Sequence, residues 1–230
     1  MCYQITCIHD IVRFICELRQ VEKISFVGWS TGTPRAGGYA ALHPERVDKL
    51  VMFGIAPFFD SELPPEVVPE KGAPLILQTR DFLLNNRWRD HVHGANQLED
   101  PLVCDEVWSA LMAADPIGAS WGRDGLGIMR APNRMNYGWK TNLAKISAPT
   151  LMLLGEFDDY DHRIEAWHAL STAQKMFIKV GHSSHFMQFE HPRHFLYKAA
   201  GEWLAQGSVE HHTQGEFQTS PEGVLSNLSR

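Results

Sequence analysis

Long apolar runs are missing from this chain of 230 residues. None reaches the ~18 consecutive residues that a membrane-spanning helix needs, so no membrane partner is expected. The opening Met-Cys-Tyr-Gln-Ile-Thr-Cys lacks both the basic start and the apolar core of a secretory signal. Lysine and arginine form no cluster, and a formal charge of −6 is mild, which argues against nucleic acid or anionic lipid as a partner. Cysteine is scarce. Cys2, Cys7, Cys16 and Cys104 have no metal-ligand spacing, and reduced thiols in a cytoplasmic protein are expected. Neither a phosphate loop nor a dinucleotide fingerprint occurs, and no cofactor or metal is expected. His91-x-His93 comes nearest to a ligand pair, but its spacing does not share a helix face, so a structural or surface role is expected.

What is present describes an ordinary globular protein, with 44% hydrophobic and 21% charged residues. The length suits one domain, or one domain with an insertion. The chain is organised around Ile24-Ser-Phe-Val-Gly-Trp-Ser-Thr-Gly32. Strand character runs directly into Gly28-Trp29-Ser30-Thr31-Gly32, and Ala36, Tyr39, Ala40 and His43 then recur at helical spacing. A serine between two glycines, at a strand-to-helix corner, is the pattern of a nucleophile elbow. The sharp turn strains its central residue and crowds the residues two either side, which is why glycine is expected at both 28 and 32. Ser30 is thereby pushed out of the strand end, toward N–H groups at the helix start.

Before the elbow, residues 9–20 read as a helix with Ile11, Phe14, Ile15 and Leu18 on one apolar stripe. After it, a helix is expected to His43, with Pro34 in its first turn, and then a short buried strand at 50–54. Residues 58–147 change character. They hold prolines 64, 65, 69 and 74 and four of the seven tryptophans, Trp88, Trp108, Trp121 and Trp139. Helical pieces are expected at 75–90 and 102–114, with irregular chain at 116–138. A stretch like this between two strands reads as an inserted lid, whose apolar residues mainly hold it together and in part line a cavity over the elbow. Strand character returns at 150–154 and ends in Gly155-Glu156-Phe157-Asp158-Asp159-Tyr160-Asp161. A helix at 163–173 precedes a strand at 175–180, the loop Gly181-His182-Ser183-Ser184-His185-Phe186, and a last helix at 192–204. Residues 206–230, including His211-His212, are polar and are expected to be disordered.

Ser, Asp and His thus follow one another in chain order, each just past the end of an expected parallel strand, where open α/β sheets place their sites. On these residues the sequence resembles the α/β-hydrolase superfamily. The likeness is carried by Gly-Trp-Ser-Thr-Gly, by His43-Pro-Glu-Arg-Val47, by Pro149-Thr-Leu-Met-Leu-Leu-Gly-Glu-Phe-Asp158, and by the histidine loop with Glu190 and Pro192 behind it. It implies the C-terminal part of such a sheet, about four parallel strands, in two core pieces (1–57 and 148–205) around a helical lid. It also implies a serine hydrolase that forms an acyl-enzyme on Ser30 with a small ester-type substrate. Serine at the elbow argues against the dehalogenase and epoxide hydrolase chemistries of this fold, which use Asp there. Asp158 takes the family's acid position, and Asp159 and Asp161 read as solvated charges or helix caps. The base is open between two histidines. His182 follows glycine directly, whereas His185 has the family's spacing to Glu190 and Pro192 and is preferred. The Thr31 backbone N–H would supply an oxyanion donor.

The resemblance also sets an expectation of shortening, because the family's sheet carries further strands and a second oxyanion loop ahead of the elbow. An elbow strand unpartnered on one side becomes an apolar edge through which copies could associate. The alternative reading is a catalytically impaired fragment that serves as a binding module.

Overall fold

The structure, a computed structural model, describes residues 2–56, 76–85, 88, 92, 97–98, 102–121, 127–130, 140–158 and 160–228. His91, His93, Trp139 and Asp159 lie outside the described residues. Helix α1 (Cys2–Arg19) leads into the elbow strand β1 (Ile24–Ser30), helix α2 (Gly32–Leu42) and strand β2 (Val47–Ile55). After the inserted stretch come β5 (Thr150–Gly155), α7 (Tyr160–Ala169), β6 (Lys175–Val180) and α8 (Arg193–Gln206). Each of the four expected strands is present. Two more, β7 (Gly215–Thr219) and β8 (Leu225–Asn227), extend the sheet to the order β1-β2-β5-β6-β7-β8, parallel except for the last pair.

Period-two alternation along the strands builds two cores. Leu50, Met52, Met152, Leu154 and Phe177 face one side, where Val12 and Cys16 of α1 and Ala36, Tyr39 and Ala40 of α2 cover them. Val51, Phe53, Leu151, Leu153, Met176 and Ile178 face the other, against Phe195, Leu196, Ala199 and Trp203 of α8. β5 is buried along its whole length, as a central parallel strand covered on both faces must be.

The polar tail corrects the expectation of disorder. Phe217 and Thr219 point inward at alternate positions of β7, and Phe217 joins the α8-side core. The turn is closed by Gly223 N–H donating to Ser220 O at 3.0 Å, with Gly223 at a φ of 81°. One buried aromatic in β7 and none in β8 is too little periodic signal to read in sequence. Pairing with β6 supplies the backbone hydrogen bonds that make the strand.

The inserted stretch differs as well. Residues 76–79 are strand β3 (Ile76–Thr79), paired antiparallel with β4 (Gly127–Arg130), and among the described residues of the piece expected as helix at 75–90 only α3 (Arg80–Leu84) is helical. Long-range pairing overrides helical propensity there. Helix α4 (Val103–Ala114) is where it was expected, and α5 (Pro116–Trp121) replaces chain expected to be irregular. The last helix of the stretch is α6 (Lys140–Leu143). Leu83, Leu84, Trp88 and Cys104 form a small third core that closes on Phe186 of the histidine loop, with Trp29 and Phe189 packed against it.

The stripe on α1 faces outward. Ile11, Phe14 and Leu18 are 58%, 63% and 66% exposed, whereas Ile5, Val12 and Cys16 are the buried residues of that helix. β1 pairs with β2 alone among the described strands, and its Val27 is 54% exposed.

Candidate active site

The elbow is built by local sterics. Ser30 sits at a φ of 51°, a left-handed conformation that costs a non-glycine residue of order 1–3 kcal/mol unless its surroundings impose it. At Gly28 a Cβ would meet the Gly32 carbonyl oxygen at 2.9 Å, so glycine is required there. The expectation that Gly32 is equally required is corrected, because a Cβ there would meet nothing within 4 Å. The crowding is one-sided. It is the backbone of residue 32, not its missing side chain, that fills the space beside residue 28.

Two further bonds hold the turn. Buried Thr33 donates its hydroxyl to the Ser30 carbonyl at 2.6 Å, and Thr33 Oγ1 itself accepts the Ala56 N–H at 3.2 Å. The end of β2 is thereby tied to the elbow. The Trp29 indole N–H donates to the His185 carbonyl at 2.8 Å. Gly54, at a φ of 50°, leaves room for this contact, since a Cβ there would lie 2.9 Å from Trp29 Cδ1 and 3.1 Å from that carbonyl oxygen.

Ser30, His185 and Asp158 converge from three separate strand ends. His185 Nε2 lies 2.8 Å from Ser30 Oγ, while its Nδ1 lies 3.0 and 3.2 Å from the two Asp158 oxygens. With Nδ1–H donating to the carboxylate, Nε2 carries the lone pair that accepts the serine proton. Asp158 is buried and His185 nearly so, while Ser30 is partly exposed. His182 is not part of this group. At a φ of 52°, it donates its backbone N–H to Glu156 Oε2 at 2.9 Å, and its ring lies 6.0 Å from that of Phe157. Thr31 stands at the start of α2, directly after Ser30, and its carbonyl accepts from Arg35 at 2.7 Å. No group of three or more His, Cys, Asp or Glu suited to a metal occurs among the described residues.

Two partners of this group went unread in the sequence. Arg163 Nη1 donates to the Ile55 carbonyl and lies 3.3 Å from both Asp158 Oδ1 and His185 Nδ1. It stands five residues past Asp158, in the first turn of α7, and nothing in that spacing marks it. Thr33, three residues past Ser30, could have been found as a hydroxyl placed to bond back to the turn. Behind the histidine, Glu190 is fully buried. Burial pushes its carboxyl up from the ordinary glutamate range, opposed by hydrogen bonds from Ser184, Gln97 and Trp88.

A sequence profile described as the alpha/beta hydrolase fold matches residues 3–192. No curated protein matches the chain by sequence. Among solved structures, the chain is similar to a monoacylglycerol lipase from Paleococcus ferrophilus, at 15% identity and a TM-score of 0.55, over 89% of this chain and 74% of that one. A structure from Nitrososphaera gargenis, described with that archaeon's carboxylesterases, aligns at 17% identity and a TM-score of 0.50, over 87% of this chain and 71% of that one. A third, 2-hydroxy-6-oxo-6-phenylhexa-2,4-dienoate hydrolase from Rhodococcus sp. strain RHA1, aligns at 19% identity and a TM-score of 0.46, over 80% and 63%. At these identities the likeness is one of fold. The chain spans 63% to 74% of the length of these three structures.

Proposed function

This chain belongs to the alpha/beta hydrolase family, and from that premise we propose that it is a serine hydrolase of small carboxylic esters, with Ser30 as nucleophile, His185 as base and Asp158 as the acid that orients it. The observation that carries this reading is the unbroken line from Asp158 through His185 to Ser30 Oγ, with 3.0 and 2.8 Å at its two links.

In the first half-reaction the Ser30 proton passes to His185 Nε2 as Oγ attacks the ester carbonyl. Asp158 fixes the imidazole tautomer and stabilises the imidazolium that forms. The Thr31 N–H donates to the oxyanion, in a turn already held rigid by Thr33 and Gly28, so little reorganisation is needed as charge develops. His185 then returns the proton to the departing alkoxide. Water enters as the second nucleophile, the same base draws off its proton, and the acyl–Oγ bond breaks as that proton passes to Ser30 Oγ and the acid departs. In this reading the stretch between β2 and β5 acts as a lid that restricts water, with its Trp88 packed against Phe186 of the histidine loop beside Trp29.

Covalent labelling with a fluorophosphonate tests the assignment. Ser30→Ala and His185→Ala are each expected to remove labelling and to lower ester hydrolysis by about 10⁶-fold, as loss of either unit does in a working triad, while His182→Ala leaves both intact. A second reading, a binding module without turnover, draws on the one-sided pairing of β1. Folded wild-type protein that takes no label would establish that reading instead.

A further inference from the structure

Glu190 is spent on a role that the triad chemistry does not call for. Its carboxylate is fully buried, and an unsatisfied carboxylate in such a place is costly enough that every lone pair left empty counts. Four donors fill it. Oε2 accepts the Ser184 N–H at 2.8 Å, and Oε1 accepts both the Ser184 hydroxyl and the Trp88 indole N–H, the latter at 3.1 Å. The Gln97 side chain is the fourth. Ser184 Oγ in turn accepts the Phe186 N–H at 3.1 Å. Both neighbours of His185 in the chain are therefore held through this one carboxylate.

The donors come from two places. Ser184 belongs to the histidine loop, whereas Trp88 and Gln97 belong to the stretch inserted between β2 and β5. The same two segments meet again where the His191 N–H donates to the Gln97 carbonyl at 2.7 Å. They meet a third time where Trp88 stacks on Phe186 at 5.1 Å and 17°, with Phe186 standing edge-on to the His185 ring at 5.6 Å and 83°. We propose that Glu190 is a positioning residue that couples the seating of Trp88 and Gln97 to the placement of His185.

The coupling follows from satisfaction of one buried charge. When Trp88 and Gln97 withdraw, the carboxylate keeps only the Ser184 donors and must take up water or a proton, either of which weakens its hold on Ser184. His185 then loses the backbone frame that keeps Nε2 within reach of Ser30. Seating of Trp88 and Gln97 and competence of the base become one equilibrium. A merely structural Glu190 would lower stability and leave the folded enzyme's rate untouched.

The inference rests on the hydrolase reading, and the experiment separates the two. Trp88→Phe removes one donor and keeps a stacking ring, and Glu190→Gln replaces one acceptor oxygen with a donor. In both variants the Ser184 amide and His185 ring-nitrogen NMR signals are expected to move. The kcat for ester hydrolysis should fall by about 10–10²-fold with KM little changed, the scale of a misplaced catalytic group. Should Glu190→Gln not fold, Trp88→Phe carries the test alone. Unmoved Ser184 and His185 signals in folded Trp88→Phe, or a rate per folded molecule equal to wild type, would overturn the coupling. If wild-type Ser30 proves unreactive the hydrolase reading fails, and the NMR signals still decide whether the inserted stretch and the histidine are linked.

Discussion

The two flanks of the sheet are built to different standards. On the histidine flank, β5 and β6 are covered on both faces, the β7–β8 hairpin adds two strands beyond them, and the loop bearing His185 is buried. On the elbow flank, β1 has one partner strand among the described residues, and Ile11, Phe14, Leu18 and Val27 face outward. Yet Ser30 is held as firmly as His185. Its support comes from Gly28, Thr33 and the Trp29 bond to the His185 carbonyl, all on the inner side of the strand. Site geometry depends on the contacts nearest the turn, so a flank can be open without loosening Ser30.

One substitution made on both flanks breaks or sharpens this contrast. Phe217→Ala empties a packed position of the hairpin and should cost about 3–5 kcal/mol, read as a lower urea midpoint. Phe14→Ala, on the exposed face of α1, should change stability by no more than about 0.5 kcal/mol. Equal losses would mean that the α1 face is covered in solution.

Between these extremes lies the elbow itself. Thr33→Val deletes the hydroxyl that serves both Ser30 O and Ala56 N–H, leaving a buried donor unpaired, at a cost of about 1–3 kcal/mol. Because the bond fixes the strained turn, ester turnover should fall together with the melting temperature. A stability loss with unchanged turnover would show that the glycine cradle alone sets Ser30.

A pH dependence adds a further test on the elbow flank. Burial, with Glu45 adding to it, pushes the Tyr39 phenol from 10.0 up to about 12. From pH about 10 upward the unfolded chain has lost this proton while the folded chain still holds it, so stability falls as pH rises toward 12. Tyr39→Phe should flatten that decline in urea titrations across the same window. Glu190 on the other flank is raised too.

Much of this arrangement was legible in the residues. Four strands, the elbow and the last helix follow from period and turn chemistry, which act within a few residues. The order Ser30, Asp158, His185 came from strand ends that each carry their own local signature. Less legible was anything decided by a distant partner. Strand β3 exists because β4 pairs with it, and the hairpin exists because β6 offers an edge to a polar segment with one inward phenylalanine. Arg163 meets Asp158 only because α7 turns back over the end of β5.

The histidines mark the boundary most clearly. Sequence alone determined that a serine stands on a strained corner, since sterics within five residues demand glycine at 28 and expose the side chain at 30. Tertiary structure alone decided that His185 rather than His182 meets it. The spacing of His185 to Glu190 and Pro192 gave it preference in the sequence, but the choice itself turns on backbone directions three residues apart, held by Glu190, Trp29 and Glu156 across the fold.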